Sequence, residues 1–139
     1  MARVKVRGLG TRENPWLLQA PGTAADYQMY RDLAASPPVL VCIAGRTERR
    51  YLLRCIEDLY AMLKARGDWM PLGSAEEQKP ADGGTVEAWA RSPGNPVGGW
   101  YGLKPGLRGQ FATYIPPLME ALNLAEVTHE LKDNRMRAA

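Results

Sequence analysis

The chain has 139 residues, of which 45% are hydrophobic and 24% charged, and its formal net charge is +3. That length suits one domain with its own core, and the balance of apolar and charged residues excludes a wholly disordered chain. The longest apolar run, Val39 to Ala44, is far shorter than the roughly 20 residues that cross a bilayer, so no membrane span is expected.

The opening MARVKVRGLG is basic and lacks the apolar core of a secretory leader, so the expected location is cytoplasmic. Val4 and Val6 alternate with Arg3, Lys5 and Arg7, which suits a short basic edge strand and equally a frayed tail. Asn14-Pro15 and Pro21-Gly22 are turn signals that leave Trp16, Leu17 and Leu18 as an apolar anchor. Tyr27, Tyr30 and Leu33 recur at intervals of three and predict a short helix within Thr23 to Leu33, ended by Ser36-Pro37-Pro38. Val39 to Ala44 reads as a strand buried on both faces.

After Gly45, Thr47 is placed to cap a helix spanning Glu48 to Arg66. Its stripe is Leu52, Ile56, Leu59, Tyr60 and Leu63, with Lys64 and Arg66 at the negative end of the dipole and Gly67 as the left-handed terminator. Arg54 and Asp58 are an i,i+4 ion pair. Asp68 to Gly73 predicts a short strand that Pro71 confines to an edge. Ser74 to Gly84 is polar and loop-like, with one helical turn at Ala75 to Gln78. Thr85 to Arg91 fits both periods, and the preferred reading is a helix capped by Thr85.

Ser92 to Phe111, SPGNPVGGWYGLKPGLRGQF, holds six glycines and three prolines around a Trp-Tyr pair, and reads as an ordered, irregular platform. Arg108 to Leu124 is helical by pattern, with Phe111, Tyr114, Ile115, Leu118, Met119 and Leu122 on one face. Interior proline disrupts a helix, so Pro116-Pro117 predicts a break near Tyr114 and a strong helix beginning around Pro116. Asn123 can take the left-handed termination; Ala125 to Glu130 and Arg135 to Ala138 then form a hairpin joined at Lys132-Asp133-Asn134.

From Glu48 onward the order is helix, short strand, short helix, helix, hairpin, and the end LMEALNL-AEVTHE-turn-NRMRA resembles a recognition helix running into the wing of a winged-helix domain. The fold expected from that resemblance is one α+β domain, with residues 1–45 as a strand-containing N-terminal extension packed on a winged-helix-like core at 46–139 and a Gly-rich insertion at 92–109. The resemblance implies a nucleic-acid partner, with Lys104, Arg108, Lys132, Arg135 and Arg137 on phosphate. The whole chain also resembles a group of short, functionally uncharacterised bacterial proteins, through GDWMPLGSAEEQKP, TVEAWARSPGNPVGGWYGLKPGLRGQF and LAEVTHELKDNRMRA; this implies a bacterial cytoplasmic origin and carries no activity.

Two further classes compete with nucleic-acid binding. Arg91, Asn95, Trp100, Tyr101 and Arg108 can line a pocket for an anionic or aromatic small molecule, set between the platform and the Glu48 to Arg66 helix. Gly109, opening a helix beside Arg108, can also receive an anion. Alternatively Trp16, Trp69 and Trp100 face a partner, of which a homodimer is the simplest. The platform holds no GxxxxGK[ST] and no GxGxxG after a strand, and its GxxG at 106–109 follows Pro105 instead of the helix a KH domain needs.

Catalysis has little support. His129 is the only histidine, and Cys42 and Cys55 match no zinc spacing and read as buried small hydrophobes, so no metal or cofactor is expected. Glu76, Glu77 and Glu87 read as solvated acids rather than an acid–base pair, and no reaction is identified.

Overall fold

The computed structural model describes residues 6–20 and 25–139. Strands β1 (Trp16–Gln19), β2 (Asp26–Asp32), β3 (Val39–Ala44) and β4 (Thr47–Leu52) form an antiparallel meander in the order β1-β2-β3-β4. Helix α1 (Cys55–Arg66) follows, then β5 (Met70–Pro71), α2 (Val86–Arg91), α3 (Phe111–Ala121), β6 (Ala125–Val127) and β7 (Arg135–Ala138). The last strands make a second sheet in the order β5-β7-β6. The chain is thus α+β, as expected. Of the proposed strand at Arg3 to Arg7, residues 3–5 lie outside the described residues, and Val6 and Arg7 are not in a strand.

The large sheet accounts for the main differences from the sequence reading. Residues 26–32 form β2, not a helix. Tyr27 and Met29 face the main core, whereas Tyr30 is buried on the opposite face with Val39 and Val41. Because Tyr30 is buried on the face that also carries the exposed Asp26 and Gln28, the aromatic residues fall at a helical spacing without marking a helix. Similarly, the first part of the proposed Glu48 to Arg66 helix is β4. Gly45, at φ 61°, and Arg46 close a two-residue turn between the paired residues Ala44 and Thr47. That ladder draws Tyr51 inward opposite Leu40, so Thr47 caps nothing and the helix starts at Cys55. The 45/46 boundary of the expected extension therefore falls inside the β3–β4 hairpin.

Several local signals act as expected. Val39 to Ala44 is β3, with Val39, Leu40, Val41 and Cys42 buried. Gly67 ends α1 at φ 69°, donating its N–H to the Leu63 carbonyl. Pro71 lies on the edge strand β5. Thr85 caps α2 by accepting the Ala88 N–H at 3.2 Å. Asn123 is left-handed at φ 62°. Strand β6 ends at Val127, earlier than expected, because the Asn134 amide oxygen accepts from the Glu130 N–H and the Thr128 hydroxyl and so shapes the turn from inside.

Helix α3 runs unbroken from Phe111 to Ala121 through Pro116 and Pro117, against the expected break. An interior proline costs about 3 kcal/mol, but burying one large apolar side chain stabilises by about 1.5–3 kcal/mol, and Phe111, Ile115, Leu118 and Met119 are all buried here. The prolines remove the N–H donors that would reach the Ala112 and Thr113 carbonyls, and the Tyr27 hydroxyl donates to the next carbonyl, that of Tyr114, at 2.7 Å. No residue of α3 is exposed. A recognition helix needs a free face to enter a groove, and α3 is instead the central helix of the core. Trp16 is likewise core, at 5% exposure, rather than facing a partner.

Candidate functional site

Glycine and asparagine shape the platform. Asn95 donates its amide to the carbonyls of Trp89 and Gly99 and accepts the N–H groups of Val97 and Gly99. The chain then runs alongside β4, where Leu52 donates to the Tyr101 carbonyl and Leu103 to that of Arg50. Tyr101 is buried, stacks on Trp89 at 5.2 Å and donates its hydroxyl to Asp58 at 2.8 Å. A Cβ on Gly102 would meet the Arg108 Cα at 2.6 Å, and one on Gly109 would overlap the backbone of Glu76 and Glu77. Within the GxxG, Gly109 therefore serves close packing of backbone on backbone, and Gly106 takes a positive φ of 87°.

Trp100 is held between two guanidinium groups, Arg91 and Arg108, each 4.5 Å from its ring centroid. Both cations are already engaged. Arg108 pairs with Glu77 at 2.5 Å. Arg91 reaches Glu87 with Nε at 3.2 Å and donates through its terminal nitrogens to the carbonyls of Ala75, Glu76 and Lys79. The structure thus joins Arg91, Trp100 and Arg108 in one stack and ties Asn95 to the Trp89 carbonyl and Tyr101 to the Trp89 ring, with the polar atoms of this group turned to the protein itself.

The anion expected beside Gly109 belongs to the chain. Gln110 precedes α3 in a left-handed conformation (φ 60°) and its side chain makes no cap. The fully buried Glu87 takes that role from α2, accepting the Ala112 N–H at 3.0 Å. Burial pushes the Glu87 carboxyl above its ordinary value, with the Ala112 N–H and Arg91 pulling the other way. The cysteines are free, and burial raises the Cys42 thiol to about 12. Burial raises the Cys55 thiol too, which suits inert core residues.

The cations assigned to phosphate fall into two groups. Lys104 and Arg108 belong to the platform, Lys104 being exposed. Lys132, Arg135 and Arg137 belong to the hairpin and are all exposed, with Arg137 lying over Trp69 at 4.5 Å and paired with Glu126 at 2.8 Å. His129 contacts Glu120 at 2.6 Å and ties the hairpin to α3.

Elsewhere, at a place the sequence did not mark, several polar side chains converge that have no ion pair or hydrogen bond among the described residues. A cleft of about 580 Å³ opens between the loop after β5 and the tip of the β6–β7 hairpin, over the start of α3. Glu76, Lys79 and Asp82 line it from the loop, Lys132 and Asp133 from the hairpin, and Gln110 from the floor. Its walls are held from behind. Gln110 donates its N–H to the Ala75 carbonyl at 2.8 Å, Leu72 donates to Asn134 at 2.9 Å, and Ser74 and Thr113 share a hydroxyl contact. Of this set, Lys132 is assigned a phosphate contact from the sequence, and Glu76 is weighed there as an acid–base group and read as a solvated acid. The run of charges in the Ser74 to Gly84 loop was the available signal for Lys79 and Asp82, and nothing local marks Gln110.

These features define a small α+β domain, and no described helix is long and apolar enough to cross a membrane. Among the described residues no cluster of three or more His, Cys, Asp or Glu is placed to hold a metal ion. Within that class, the chain belongs to a family of unknown function, DUF6855, whose model matches residues 8–139. No curated protein and no solved structure matches the chain.

Proposed function

We propose that this protein binds a small polar molecule in the cleft between the loop after β5 and the hairpin tip. The observation that carries the reading is a contrast in how charges are used. On the platform side, Glu77, Glu87, Arg91 and Arg108 are all paired. In the cleft, the side chains of Glu76, Lys79, Asp82, Gln110, Lys132 and Asp133 have neither an ion pair nor a hydrogen bond among the described residues. The volume of about 580 Å³ is that of a metabolite-sized site. The walls are pinned by backbone hydrogen bonds while Glu76, Lys79, Asp82, Lys132 and Asp133 are exposed, so a ligand entering the cleft can exchange their water for direct partners. A metabolite panel screened by thermal shift tests it: a ligand at a hundred times its Kd stabilises by about 2.7 kcal/mol. Panel hits whose effect survives K79A/K132A would refute this placement.

A second reading keeps nucleic acid as the partner, on the hairpin rather than on α3. Arg135 and Arg137 share the exposed face of β7, with Trp69 against Arg137 and Lys132 at the tip. Phosphate contacts of that kind weaken steeply with salt. Anisotropy of a labelled single strand, titrated at low and high salt, tests this reading, and no binding at low salt removes it. Both cysteines are free, which fits a reducing compartment, and we read the protein as bacterial and cytoplasmic.

A further inference from the structure

We infer that the cleft takes a zwitterion: a small molecule carrying an ammonium and a carboxylate on one short frame, the size of an amino acid or dipeptide. This rests on the cleft reading above and names its ligand class.

The two walls of the cleft carry matching sets of charges. The loop contributes Lys79 and Asp82, three residues apart, and the hairpin tip contributes Lys132 and Asp133, which are adjacent. Each wall therefore offers one ammonium and one carboxylate. Glu76 adds a third carboxylate on the loop side. Although both signs line the same cleft, no ion pair joins any of these side chains among the described residues. The loop is held by Arg91 through the carbonyls of Ala75, Glu76 and Lys79, and the hairpin by the Asn134 amide, which leaves the five charged side chains exposed to solvent.

Ligand classes can be ranked on that arrangement. A simple anion gains from two ammonium groups but meets three carboxylates; a simple cation meets the reverse. A neutral ligand gives none of the five charges a partner while taking water from them. A zwitterion gives each sign a partner. The Gln110 amide on the floor both donates and accepts, so it matches either end of such a ligand. With carboxylates in excess, a second ammonium on the ligand is favoured and a second carboxylate is disfavoured.

The test is calorimetric titration of the full chain with lysylglycine, glycylglycine, N-acetylglycine and glycinamide at millimolar concentrations. Lysylglycine is expected to bind most tightly, then glycylglycine, with each single-charge probe weaker by about tenfold or more. K79A and D82A are each expected to weaken glycylglycine by about fivefold, the factor one partly exposed ion pair supplies. If the single-charge probes bind as well as the dipeptides, or D82N tightens binding, the zwitterion assignment is overturned while a cleft ligand of another class stands. If neither dipeptide binds, this assignment is overturned, and the metabolite screen judges the cleft itself. Dipeptide binding that both K79A and D82A leave unchanged overturns the cleft as the site.

Discussion

Glu87 joins the platform to the helix that floors the cleft, and its removal has a calculable effect. Glu87→Ala leaves the Ala112 N–H without its acceptor at 3.0 Å and the Arg91 Nε without its acceptor at 3.2 Å, with the Arg91 side chain only 12% exposed. Removing one partner of a buried ion pair costs about 3–5 kcal/mol. Arg91 keeps its three carbonyl acceptors, so the lower end applies, about 3 kcal/mol, or roughly 10 °C in Tm for a domain of this size. Glu87→Gln keeps the volume and one acceptor oxygen, and is expected to cost about 1 kcal/mol at neutral pH. The pH dependence separates the two states of the carboxyl. Burial raises the folded-state value above the unfolded one, so the stability from this group is complete below the ordinary carboxyl value. It is lost as pH rises through the raised folded value. Glu87→Gln cannot lose it, so the gap between wild type and this variant should narrow as pH climbs upward from the ordinary carboxyl value. Urea denaturation followed by tryptophan fluorescence across that range measures both effects. A Glu87→Ala variant within about 0.5 kcal/mol of wild type, or a gap that widens with pH, would refute the reasoning.

Other outcomes follow from the same geometry. Gly109→Ala drives a methyl into the backbone of Glu76 and Glu77, which cannot move aside as a side chain would, and should destabilise by about 2–3 kcal/mol in denaturant. Tyr51→Phe removes the donor held 2.8 Å from the buried Gly109 carbonyl and should cost about 1–2 kcal/mol in the same assay. Gln110→Gly relieves a left-handed conformation at φ 60° and should raise stability by about 0.5–1 kcal/mol, while calorimetry shows weaker ligand binding because the floor amide is gone. Stability and affinity moving together at this position would count against a binding role for Gln110.

What the sequence made legible was local. Gly67, Thr85 and Asn123 announce helix ends through their own conformational and capping chemistry, and the apolar run of β3 needs no partner to be recognised. Strands β2 and β4 were hidden because sheet pairing decides them. Tyr30 is buried on one face and Tyr27 and Met29 on the other, while Arg49, next to the inward Tyr51 in sequence parity, lies against Tyr114. The sequence grouped Arg91, Asn95, Trp100, Tyr101 and Arg108 as a pocket lining, but it could not show that Arg91 and Arg108 stack on Trp100 with Glu87 and Glu77 as their ion-pair partners. Nor could it show that the Ser74 to Gly84 loop and the hairpin tip share a cleft. That proximity depends on β5 pairing with β7, with Met70 opposite Met136, a contact between distant parts of the chain.

The most direct test is an amide-resolved NMR titration of the full chain with glycylglycine, and with lysylglycine as the stronger ligand. Saturable shifts are expected in residues 73–82, 110–113 and 131–134, with the platform at 95–102 unmoved. Shifts that map to the outer face of β7, or to the groove at Pro37, Leu53 and Val97, would contradict the cleft as the site of binding.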